Sequence, residues 1–136
     1  MKLSYLISRL EHTVCPMELF SMYQGTDWKQ HVRYNTGSTP AHVILHQSNA
    51  MKLVLYGWHP NQVLSHQNHY STMYTKLMAG TCTTSMLYPN HHNAFHRTLY
   101  PPMMVRIPPF SKYTFTATSQ EPTASLMLFH YTDTAI

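Results

Sequence analysis

Charged side chains are scarce in this sequence of 136 residues. Lys, Arg, Asp and Glu make up 10% of the chain, with nine basic and five acidic residues and a formal net charge of +4. A typical soluble domain carries about 25% charged residues. The hydrophobic fraction of 43% still suffices for a buried core and argues against a disordered chain. The low charge predicts a surface that is largely covered by other chains.

Glycine and cysteine are also few, with four and two copies. The chain has no GxxxxGK[ST], GxGxxG or GxSxG motif, which excludes the common phosphate-cradling loops and the nucleophile elbow. Cys15 and Cys82 form no CxxC pair, so we expect free thiols and no disulfide framework. The five acids are scattered, which gives little support to a hydrolase that works with paired carboxylates.

Long apolar runs are missing as well. The most apolar stretch, residues 41–58, is interrupted by three polar residues and two histidines, so we expect no transmembrane span. No secretory signal is visible near the start, where Arg9 interrupts the apolar face and no small-residue cleavage site follows. One domain fits the length of the chain.

The first residues have a helical pattern. Leu3, Leu6, Ile7 and Leu10 recur at the spacing of one helix face, and Pro16 follows. This predicts an amphipathic packing helix over residues 1–14.

The helical period then disappears. Six short segments are rich in β-branched and aromatic residues and are bounded by Pro, Asn, Ser and Gly. They are residues 30–36, 41–47, 51–58, 103–108, 113–119 and 125–132. They predict an all-β, antiparallel β-sandwich over residues 19–136. Residues 61–84 are polar and rich in histidine, and we expect a long surface loop there with a short strand near 70–77.

Three segments resemble one family of viral proteins. Residues 3–9 (LSYLISR) are similar to the "LRxLLKR" helix of dicistrovirus and iflavirus capsid proteins. Residues 19–25 (LFSMYQG) with 28–33 (WKQHVR) resemble the strand entry of that family, and 105–111 (VRIPPFS) with 113–115 (YTF) resemble its "E-[VI]-x-[VI]-P-Y-Y-S-x-x-R-F" element. Gln24 stands where the family has Arg, and Pro109 stands where an aromatic is usual.

This resemblance implies a picorna-like jelly roll over residues 1–136, either a single capsid domain or the C-terminal part of one. It implies a structural protein and not an enzyme, with no catalytic, cofactor-binding or metal-binding residue. Its partners would be other capsid subunits, in a homo- and hetero-oligomeric icosahedral shell around a viral RNA genome. Lys2 and Arg9 are the candidates for weak RNA contact at the inner face. The protein would reside in the virion, and in the host cytoplasm during assembly.

Eleven histidines suggest an alternative, a small cupin-like metal oxygenase with ligands such as His66, His69 and His130. A cupin motif would contain HxH followed by Glu, but no HxH occurs here and no Glu lies between Glu18 and Glu121. His42 and His46 lie on a predicted strand, where positions four apart are about 13 Å apart, too far for one ion. A carbohydrate-binding sandwich with Trp28 and Trp58 as stacking platforms is a third possibility, although core packing explains two tryptophans better.

Overall fold

The computed structural model describes residues 27–68 and 70–131, which form an all-β protein. The elements are a 3-10 helix (Asp27–Gln30), β1 (Ala41–Gln47), β2 (Met51–Trp58), β3 (Val63–Gln67), β4 (Ser71–Ala79), β5 (Cys82–Leu87), β6 (Phe95–Leu99), β7 (Met104–Ile107), β8 (Lys112–Ala117) and β9 (Thr123–Tyr131). Within these residues no helix has the length and the apolarity that a membrane crossing requires.

The strands form two antiparallel sheets. The five-stranded sheet has the order β1-β2-β9-β4-β7, and the four-stranded sheet has the order β3-β8-β5-β6. Strands that follow each other along the chain often lie in different sheets, so the chain crosses repeatedly between the two layers, as in a jelly roll. The predicted antiparallel β-sandwich is therefore confirmed, whereas the helix expected over residues 1–14 lies outside the described residues.

The main core lies between the two sheets. Strand residues alternate between the two faces of a sheet, and Trp58, Met73, Phe115 and Met127 point inward and are fully buried. A second apolar cluster covers the outer face of the five-stranded sheet, where Trp28 packs with residues of β2 and β9. Because both faces of β2 and β9 are buried, these two strands read as nearly continuous hydrophobic runs.

Two sequence-based expectations about the secondary structure are wrong. Residues 30–36 are not a strand. The chain there leaves the 3-10 helix and crosses over β2, so closely that a Cβ on Gly57 would lie 2.0 Å from the Arg33 carbonyl oxygen. Residues 61–84 are not a surface loop but contain β3, β4 and the start of β5. The short strand expected near 70–77 is confirmed as part of β4.

Candidate functional site

A cavity of about 440 Å³ opens between the two sheets, at the end of the sandwich where β3 turns into β4. Ligand cavities in proteins typically measure about 300–1,000 Å³. Most of the wall is aromatic or aliphatic and comes from Tyr56, Leu64, Tyr70, Tyr113, Phe129 and Tyr131. The polar part of the wall comes from Lys52, Ser65, His66, Asn68 and Ser71.

The strand registers place these side chains on the two facing walls. In the five-stranded sheet, Lys52 lies directly across from Phe129, on the same inner face as Tyr56. In the four-stranded sheet, His66 lies directly across from Tyr113. Paired residues on neighbouring strands share a face of the sheet, so an ammonium group on one wall faces an imidazole and a phenol on the other.

The aromatic rings near the cavity pack against one another. The Tyr113 ring centroid lies 5.4 Å from that of Phe115 and 6.0 Å from that of His66. Burial raises the pKa of Tyr113 far above its usual range, and the nearby Tyr56 raises it further. Burial also raises the pKa of the Tyr56 phenol. Both phenols therefore keep their protons at neutral pH and are available as hydrogen-bond donors.

The described lining of the cavity carries a basic group and no acidic one. Lys52 contributes a full positive charge, and no Asp or Glu occurs among the described lining residues. The acids in the described part of the chain are Asp27 and Glu121, and Glu121 is exposed in the turn between β8 and β9. A partly buried ammonium without a carboxylate among the described residues of the same wall favours an anionic ligand.

Asn68 holds the mouth of the cavity together. Its side chain is only 3% exposed and donates to the backbone carbonyls of Ser71 and, at 3.4 Å, Pro108. The Ser71 hydroxyl donates to Asn68 Oδ1 at 2.5 Å, and the Asn68 backbone N–H donates to the Ser111 carbonyl at 2.8 Å. One buried amide thus connects the β3–β4 turn to the β7–β8 turn.

The described histidines do not fit a metal centre. His66 lies on the cavity wall, whereas His130 lies next to Phe129 in sequence and so on the opposite face of β9. A β-bulge between Ile44 and His46 places His42 across from Tyr56, on the inner face, and His46 across from Leu53, on the outer face. Among residues 27–68 and 70–131 no group of three or more ligating side chains converges. His69, the third proposed ligand, lies outside the described residues.

Both tryptophans serve as core residues, as expected. Trp58 is 1% exposed, and its indole N–H donates to the Ser125 hydroxyl at 3.1 Å. Trp28 is 6% exposed and belongs to the second apolar cluster. Neither ring offers a face to a sugar.

Hydroxyl groups cover the outer face of the four-stranded sheet. Thr116, Thr83 and Thr98 form one row across three strands. Ser65, Thr114, Ser85 and His96 form the next row, in which the Ser65 and Thr114 hydroxyls lie 2.9 Å apart. Neutral side chains therefore occupy outward positions where most soluble domains carry charge.

The two sheets and their strand order define a fold of the cupin, or double-stranded β-helix, class. The TT1209 protein of Thermus thermophilus is similar, with a TM-score of 0.64 and 22% identity over 77% of this chain and 94% of that chain. A Klebsiella pneumoniae protein described as an uncharacterized conserved protein with a double-stranded β-helix domain has a TM-score of 0.65 and 15% identity, over 81% of this chain and 91% of its own.

An oxalate oxidase has a TM-score of 0.65 and 12% identity, over 73% of this chain and 56% of its own. At these identities the likeness shows the fold alone. No protein-family model matches the chain, and a search of curated proteins gives no significant match.

These findings correct the sequence-based identification. The resemblance to picorna-like capsid proteins is wrong, because the similar structures described above are proteins of the cupin, or double-stranded β-helix, class. The structural role in an icosahedral shell and the location in a virion or in host cytoplasm during assembly are withdrawn with it. The expectation that the chain is not an enzyme is also corrected, since the same fold carries an oxalate oxidase. The short motifs misled because strands with alternating aromatic residues, bounded by Pro-containing turns, are signals of β-strands in general and do not separate one jelly roll from another.

Proposed function

We propose that this chain is a cupin-fold protein that binds a small organic carboxylate in the cavity at the mouth of the sandwich. The observation that carries this proposal is the Lys52 ammonium on a mostly apolar, tyrosine-rich wall, with no acid among the described lining residues. A carboxylate suits this site, because one negative charge meets one ammonium while the apolar body of the ligand contacts aromatic rings. The neutral phenols of Tyr56 and Tyr113 supply further donors for the carboxylate oxygens.

A titration with benzoate tests this function. A hydrogen bond to a charged group contributes roughly 1.5–3 kcal/mol, so Lys52→Met should weaken benzoate binding by about tenfold or more. Lys112→Met removes the same charge from an exposed position on the outer face of the four-stranded sheet and should change the affinity by less than about twofold. Binding that persists in Lys52→Met, or that is lost in Lys112→Met, would contradict the proposed site.

One observation also favours catalysis on the bound ligand. Two phenols that stay protonated share the cavity with the imidazole of His66. The imidazole can accept the proton next to a carbonyl, while a phenol donates to the oxygen on which the electron pair of the broken C–H bond accumulates. This chemistry is metal-independent acid–base catalysis.

Proton exchange measures this second function. In D₂O the protein should speed the exchange of the methyl protons of pyruvate, followed by NMR, and His66→Gln should reduce that exchange to the background rate. Exchange at the background rate with the unaltered protein would remove the catalytic proposal and leave the binding proposal standing.

A further inference from the structure

An aromatic pair lies at the rim of the cavity. Tyr70 and Phe110 meet edge to face, with ring centroids 5.8 Å apart. Tyr70 lines the cavity and is 65% exposed, and Phe110 is 51% exposed on the β7–β8 turn. Tyr131, on the cavity wall, adds a third partly exposed ring. Large rings exposed together beside a cavity are typical of a binding surface and not of solvent-facing positions.

Phe110 adopts a backbone conformation that is unfavourable for its residue type. Its φ angle is +65°, in the left-handed region that bulky side chains rarely occupy. It follows Pro109, in the turn position where a positive φ normally selects glycine or asparagine. Glycine would therefore suit the backbone better, which means that the phenyl ring is kept at some cost in stability. Such strain is found mainly where a side chain has a function.

The turn that carries Phe110 is fixed in place. Pro108 and Pro109 restrict the backbone before it, and buried Asn68 contacts the carbonyls of Pro108 and Ser111 on either side of it. The same Asn68 contacts Ser71 beside Tyr70, so one hydrogen-bond network links the two turns that carry these rings. The backbone of the rim is therefore preorganised, and a ligand that packs against it loses little free energy in ordering these turns.

From these observations we infer that Tyr70 and Phe110 form an aromatic clamp that selects carboxylates carrying a flat ring system. This inference rests on the proposed function and names the ligand class of the same cavity. The carboxylate contacts Lys52, and the ring of the ligand extends toward the rim, where it packs against the Tyr70 ring. Phe110 supports the Tyr70 ring through their edge-to-face contact. Flexible or small carboxylates would use the Lys52 end of the site alone.

Two probes separate the parts of this inference, 2-naphthoate as the flat ligand and acetate as the small one. Aromatic packing typically changes affinity by about two- to tenfold. Phe110→Gly should weaken 2-naphthoate binding by about fivefold and leave acetate binding within about twofold. The same variant should unfold at a higher temperature than the unaltered protein, because glycine relieves the positive φ. Phe110→Leu keeps the bulk and the strained backbone, and it should lose 2-naphthoate affinity without the gain in stability.

The possible failures are distinguishable. If neither probe binds the unaltered protein, the proposed function fails and the clamp fails with it. If both probes bind in a manner that depends on Lys52 and Phe110→Gly leaves 2-naphthoate unaffected, only the clamp is refuted. Equal losses for both probes would show that Phe110 shapes the whole mouth, and would also refute selection for flat rings. A Phe110→Gly variant that is no more stable would refute the argument from strain.

Discussion

Replacing Asn68 by alanine tests whether one buried amide holds the rim of the cavity. The substitution removes two donated hydrogen bonds and one accepted from the Ser71 hydroxyl. Ser71 is itself buried, so its hydroxyl and carbonyl would lose these partners. An orphaned buried polar group costs about 1–3 kcal/mol, and we therefore expect Asn68→Ala to lower the free energy of unfolding by about 2–4 kcal/mol.

Urea unfolding followed by tryptophan fluorescence measures this loss, since Trp28 and Trp58 are both buried. Asn93→Ala is the matched control, because Asn93 is exposed in the loop between β5 and β6 and should change stability by less than about 0.5 kcal/mol. A loss in Asn68→Ala as small as that of the control would refute the role of Asn68 as the link between the two turns.

Two further predictions concern the buried phenols. Because burial raises the pKa of Tyr113, its contribution to the stability of the folded state is complete below pH 10, where tyrosine titrates in the unfolded chain, and is lost as the pH rises toward the pKa of the folded state. The free energy of unfolding should therefore fall above pH 10 by up to about 1.4 kcal/mol per pH unit. Tyr113→Phe should make this fall less steep. Because Tyr56 contributes to the raised pKa of Tyr113, Tyr56→Phe should shift the phenolate absorbance titration of Tyr113 to lower pH. An unchanged alkaline slope in Tyr113→Phe would show that this buried phenol does not cause the loss of stability, and an unchanged titration in Tyr56→Phe would show that the two phenols do not interact as described.

The sequence predicts those strands that are rich in apolar and β-branched residues and are bounded by turn residues. β1 and β2 agree with the expected segments at both ends, because their apolar and β-branched residues are bounded by turn residues. β4 was expected only as a short strand within a surface loop, although it is largely buried. The reason is that Ser71 and Thr75 occupy inward, buried positions where periodicity would require apolar residues. β6 was missed because four of its five residues are exposed at the edge of a sheet. Strand order depends on contacts between distant segments, which local patterns do not contain.

The candidate site was only partly accessible from the sequence. His66 was among the proposed ligands, and the structure places it on the cavity wall. Lys52 was regarded as a polar interruption of an apolar run, because the alternation of β2 alone does not show that its inner face meets Tyr113 of a different sheet. His130 was grouped with His66 on residue type, and only the register of β9 shows that it points the other way.

Intermolecular NMR contacts of bound 2-naphthoate test the central claim most directly. The account predicts nuclear Overhauser effects from the ligand ring to the rings of Tyr113, Phe129 and Tyr70, which line one cavity. Contacts to Thr83 and Thr114 on the outer face of the four-stranded sheet, with none to those three rings, would contradict it.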